Sequence, residues 1–157
     1  MANDFNDFIK QIVQKPEADK EWVSTQLTQW KTYLEDFYKL IENILCENES
    51  IKIDYKEKSI FEESLGDYKV NSATISIGNI KLKLEPVGTL LIGSKGRVDL
   101  IGPKSKLLFV LKPEQENNAP DKKVVWSWNI ATPPPNVSYL PLTKESFQDA
   151  LMKVVNG

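Results

Sequence analysis

Seven apolar residues, Val23, Leu27, Trp30, Leu34, Phe37, Ile41 and Ile44, follow one another at spacings of 4, 3, 4, 3, 4 and 3. Such a run falls on one stripe of an α-helix and on no single face of a strand, so it commits this stretch to a long helix with a packing seam. Tyr33, Tyr38, Leu40 and Leu45 widen the stripe, which favours packing on a sheet or a second helix over a free-standing zipper. From Ser50 onward the apolar period drops to 2. Ile51, Ile53 and Tyr55 alternate with Lys52, Asp54 and Lys56, and Ile80, Leu82 and Leu84 alternate with Lys81, Lys83 and Glu85. Strands of this kind have one wet face, the pattern of an antiparallel sheet covered on one side.

The remaining elements follow from the same rules. Phe5, Phe8, Ile9, Ile12 and Val13 form a helical stripe that Lys15-Pro16 is expected to end, because proline disfavours α geometry in the residue before it. Asp19 then caps a second helix from Lys20 to Cys46. Val70 to Ile77 and Lys123 to Ile130 read as strands, and Lys106 to Lys112 as a central strand buried on both faces. Gly93-Ser94-Lys95-Gly96 reads as a hairpin turn between Leu90-Leu91-Ile92 and Arg97 to Ile101, with glycine supplying positive φ. Pro113 to Asp121 reads as an exposed loop, and Pro133-Pro134-Pro135 as a polyproline II connector. Thr143 caps a last helix, with Leu142 stapled onto Phe147. The expected fold is α+β: two amino-terminal helices, an antiparallel sheet of six or seven strands and one carboxy-terminal helix, with the helices packed on one sheet face. The 157 residues form a single domain on this reading, a helical hairpin over 1–48, the sheet over 49–131, and the connector and last helix over 132–157.

Composition narrows the chemistry. There is no histidine, which removes the usual general base, nucleophile activator and transition-metal ligand. Cys46 is the one cysteine, so no intramolecular disulfide forms; at the end of an apolar run it reads as a small buried hydrophobe. No secretory signal is recognised in Met-Ala-Asn-Asp-Phe-Asn-Asp, and Leu107 to Leu111 is far shorter than a membrane span. A cytoplasmic protein with no membrane association, no cofactor and no metal is expected. Residues 1–50 hold five lysines against ten acidic residues, net −5, leaving +3 for the rest. Nineteen of the twenty basic residues are lysine, and arginine, the preferred base-edge reader, occurs once, as Arg97, so nucleic acid is not an expected partner.

Two groups of residues are candidate sites. Glu35, Asp36, Glu42, Glu47 and Glu49 crowd the second half of the long helix and its exit, where the macrodipole is also negative. An arrangement that costs helix stability invites a functional explanation, and it points to an interaction surface for another protein with a basic face. A second copy of the chain, paired through the long helix, is the other partner that the heptad seam allows. The second group is Glu85, then Asp99, then Lys112, in the segments Gly96-Arg97-Val98-Asp99-Leu100 and Phe109-Val110-Leu111-Lys112. This order resembles the PD-(D/E)xK nuclease superfamily, in which an acid on one strand and an acid-x-Lys on the next hold Mg²⁺ and the attacking water. Val110 stands where the second metal carboxylate belongs, so the resemblance implies an inactive or repurposed site without catalytic residues. The competing reading of Asp99 is an ion pair with Arg97 at i, i+2 on one strand face. Trp126 and Trp128 share a face with Val124 and Ile130 and read as core. The expected function is a non-catalytic interaction module of the inhibitor, immunity or accessory kind, with a degenerate nuclease-like domain as the alternative.

Overall fold

The computed structural model describes residues 2–89, 95–113, 125–132 and 135–157, with backbone alone at 2, 3 and 10–20. Helix α1 (Ala2–Leu45) leads into seven strands, β1 (Ile51–Glu62), β2 (Gly66–Ile77), β3 (Ile80–Gly88), β4 (Gly96–Ile101), β5 (Lys106–Pro113), β6 (Trp126–Ala131) and β7 (Tyr139–Pro141), and the chain closes with α2 (Lys144–Asn156). The strands lie in one sheet in sequence order, each antiparallel to the next. The fold is therefore α+β, an antiparallel meander with its helices on one face.

Alternation sets that face. Leu82 and Leu84, Val98 and Leu100, Leu107, Phe109 and Leu111, and Ile130 all point to the core side and are buried together. The heptad seam of α1 lies on them: Trp30, Leu34, Phe37, Ile41 and Ile44 are buried, with Val23 and Leu27 partly so. Phe109 sits between the helices, its ring 5.3 Å from Phe37 of α1 and 5.8 Å from Phe147 of α2. Trp128 stacks on Phe37 at 4.7 Å, and Trp126 meets the Lys95 ammonium at 5.3 Å. Thr143 caps α2 reciprocally with Ser146, and Leu142 packs against the core.

Several expected boundaries move. Helical backbone runs without a break through Lys15-Pro16, so the helical hairpin expected over 1–48 is one 44-residue element. Proline removes one hydrogen bond and crowds the preceding turn, yet Lys15, Glu17 and Ala18 are good helix formers and no glycine invites a stop. Cys46 lies one residue past the helix and is exposed, its Sγ donating to the Asn43 carbonyl at 3.2 Å, which corrects its reading as buried. Gly96 does not have positive φ. It is needed because a Cβ there would lie 2.2 Å from the Trp30 ring. Strand β7 falls where only a connector was expected. Residues 90–94, most of the Pro113–Asp121 loop, and Pro133-Pro134 lie outside the described residues.

The β1–β2 hairpin changes the face that it gives to the core. Its register is unbroken from Ile51↔Ile77 to Glu62↔Gly66. Near its open end the inward positions are Ile51, Ile53, Ala73 and Ile75; near its tip they are Ile60, Glu62, Tyr68 and Val70. Pairing of β2 with β3 ends at Ala73↔Leu84, and beyond it the hairpin is a two-stranded ribbon, in which twist is larger than in a wide sheet. The ribbon rolls over α1. Tyr38 donates to the Asn71 carbonyl at 2.5 Å at the level of the change, and Lys58 donates to the Pro86 carbonyl at 3.0 Å on the edge that β2 has left.

Burial of Tyr38 and Tyr68 in this region, aided by the field of Tyr55 and Glu85 on the first and the hydrogen bond to Glu62 on the second, raises both phenols above their ordinary range. In the unfolded chain they ionise near pH 10, whereas the folded state keeps their protons, so below that pH neither group changes stability. Above about pH 10 stability should fall by up to about 1.4 kcal/mol per pH unit for each tyrosine. Tyr55 is raised as well, by burial and by its hydrogen bond to Glu42, so three phenols share the slope. Urea unfolding at rising pH checks this: Tyr38→Phe should remove about a third of the slope, and an unaltered slope would contradict the assignment.

Candidate functional site

The outward face of α1 carries the predicted acidic group. Glu35 and Asp36 are exposed and, among the described residues, have no ion-pair or hydrogen-bond partner; the same holds for Glu49 in the turn after the helix. Glu42 lies seven residues after Glu35, on the same helix line, and accepts the Tyr55 hydroxyl. Glu47 pairs with Lys144 at the start of α2, Nζ to Oε2 2.7 Å. That contact ties the exit of α1 to α2. The five acids thus divide: Glu35, Asp36 and Glu42 share the helix surface, and Glu47 and Glu49 mark its carboxyl end.

The nuclease-like set lies on the opposite, helix-free sheet face. Glu85 and Asp99 stand directly across from each other on β3 and β4. Asp99, 6% exposed, is gripped by Arg97 through Nε–Oδ1 at 2.7 Å and Nη2–Oδ2 at 3.0 Å, with Lys106 at 3.8 Å. This bidentate pair raises the Arg97 pKa, chiefly through the hydrogen bond to Asp99. Glu85 pairs instead with Lys58, 2.9 Å away. Asp99 faces Leu108, so Lys112 lies four residues, or about 13 Å, further along β5. Its ammonium sits 3.7 Å from the centroid of the Tyr139 ring. Val110, opposite Arg97, is buried and apolar. Among the described residues no group of three acidic or cysteine side chains is placed to hold a metal ion.

Two features escaped the sequence reading. Glu62 is the last residue of β1 and is 9% exposed. Its carboxylate accepts the Tyr68 hydroxyl, and its Oε1 accepts the Thr89 N–H and hydroxyl, each at 2.9 Å. Gly88, at φ +152°, leaves room for it: a Cβ there would come within 3.1 Å of the carboxyl carbon. The second feature is an open groove of about 670 Å³ where α1, α2 and the β2–β3 turn meet. Leu45, Ile51, Ile77 and Ile80 wall one side and Leu151 and Met152 the other, with Glu47, Asn48, Gln148 and Asn156 at the rim. Its residues come from five elements, so no local motif announces it. A volume in the range of ligand pockets, an apolar lining and a polar rim are features of binding sites.

Comparison with known proteins finds no matching family, no matching curated protein and no matching solved structure. No helix among the described residues is long and apolar enough to cross a membrane.

Proposed function

We propose that this chain is a non-catalytic, cytoplasmic protein-interaction module of the inhibitor, immunity or accessory kind, which docks a partner with a basic surface on α1. The observation that carries the reading is that Glu35, Asp36 and Glu42 are all exposed on the solvent side of α1, three acids around the single lysine Lys39, on a helix whose other face is locked into the core. Glu42, in the last turn of α1, opposes the helix dipole and so costs some stability. In return the three acids give a local potential that draws in cationic surfaces. Supporting the non-catalytic part, the carboxylates that could have served chemistry are committed to structural partners: Asp99 to Arg97, Glu85 to Lys58 and Glu62 to Tyr68 and Thr89.

Isolation of the tagged chain from its native cell, followed by mass measurement of the eluted species, tests this. A stoichiometric complex is expected, and Glu35→Gln/Asp36→Asn/Glu42→Gln should lose it while unfolding at an unchanged or slightly higher urea midpoint. A partner retained in full by the triple variant would overturn the assignment of the surface.

A further inference from the structure

We infer that the apolar groove at the carboxyl end of α1 takes the apolar face of an amphipathic helix whose flanks are lysine and arginine, supplied by the partner. The inference rests on the reading of the chain as an interaction module and names where that partner anchors. At about 670 Å³ the groove holds roughly twenty waters at ~30 Å³ each against mainly aliphatic walls. Ile80, 37% exposed, and Met152, 55% exposed, are large apolar side chains left open to solvent on opposite walls. An apolar trough of this kind accepts the i, i+3, i+4, i+7 stripe of a helix, and a methionine wall adapts to the side chains that enter.

Charge selects the occupant. Glu47 lines the groove and Glu49 follows in the same turn. Glu145 is seven residues before Met152, on the same line of α2, and is exposed. Lys144 is the cation at this lip, and Glu47 already engages it. Lys52 and Lys81, which follow Ile51 and Ile80 in their strands, alternate to the other sheet face. The lip is therefore acidic and complements a basic flank. The chain's own exposed helical stripe, Phe5, Phe8 and Ile9, is interleaved with Asp4 and Asp7 and brings the wrong sign, which argues against a second copy as occupant.

Methionine supplies a direct reporter, since Met1 and Met152 are the two in the chain. Protein labelled with ¹³C at the methionine methyls is titrated with a synthetic helix of about 18 residues, five turns long, with leucine on one stripe and lysine elsewhere. The Met152 methyl resonance should shift and saturate. Fluorescence anisotropy of the same peptide should show at least tenfold weaker binding to Ile80→Asp and to Met152→Asp, both on exposed side chains, and at least tenfold weaker binding of a peptide with glutamate in place of lysine. An unmoved Met152 resonance, equal binding of the glutamate peptide, or full binding by both groove variants would overturn the inference. If the resonance stays unmoved while the cellular complex still forms through Glu35, Asp36 and Glu42, the groove is discarded and the interaction module stands. A saturating, lysine-selective shift with no cellular complex would support the groove and discard the acidic helix face.

Discussion

Phe37→Ala should lower the free energy of unfolding by about 3–5 kcal/mol, the range for deleting a buried aromatic ring. Phe37 has no exposed surface and is the aromatic side chain through which α1 touches both Phe109 on β5 and Trp128 on β6, at 5.3 and 4.7 Å between ring centres. The cavity cannot close readily, because Phe109 is held from the far side by Phe147. Trp30→Ala should cost a similar amount, since Trp30 fills the space that Gly96 leaves. Urea unfolding combined with light scattering distinguishes this from a different use of the same seam. A loss below about 1 kcal/mol, with a dimer converting to a monomer, would mean that the heptad line pairs between chains.

Glu62→Ala should cost about 3 kcal/mol, because it strands the buried Tyr68 hydroxyl and the Thr89 N–H at about 1–3 kcal/mol for each orphaned group. The carboxylate bridges the tip of the β1–β2 ribbon to the end of β3, and its loss should release the tip locally as well as weaken the whole fold. Hydrogen exchange at Ile60 and Tyr68 should therefore speed up more than exchange at Phe109 or Leu100. Glu62→Gln, which keeps an acceptor for Thr89, should recover most of the loss. A Glu62→Ala protein within about 0.5 kcal/mol of the parent would show that the ribbon is held by packing of Ile60, Leu65 and Val70 alone.

What could be read from the sequence is what local periodicity encodes. The 4-3-4-3 spacing from Val23 to Ile44 placed the seam of α1 correctly, alternation in residues 80–85 placed the core face of β3, and the unbroken apolar run Leu107 to Leu111 marked β5 as a central strand without saying which face meets the helices. The Arg97–Asp99 pair was also legible, since i and i+2 on a strand must share a face. Glu62 was not, because the β1–β2 ribbon swaps its buried face between Tyr55 and Lys58 with no bulge, glycine or proline to mark the place. The spacing of Asp99 and Lys112 matched a nuclease-like order, yet antiparallel register, which spacing does not reveal, sets Lys112 beside Tyr139 instead of Asp99. Strand β7 is three residues long, exposed and next to prolines, too short for any period to show. The groove is formed where five elements converge, so only the assembled fold reveals it.

Whether the acids of α1 steer a basic partner into place is read from the association kinetics of the isolated complex. The association rate constant should fall at least tenfold between about 50 mM and about 500 mM salt, as expected when long-range attraction governs encounter. At the lower salt, Glu35→Gln/Asp36→Asn/Glu42→Gln should bring the rate down toward the high-salt value while dissociation changes little. An association rate constant that is the same across that salt range, or that the triple substitution leaves unaltered, would contradict the account and reduce these acids to a solvated helix surface.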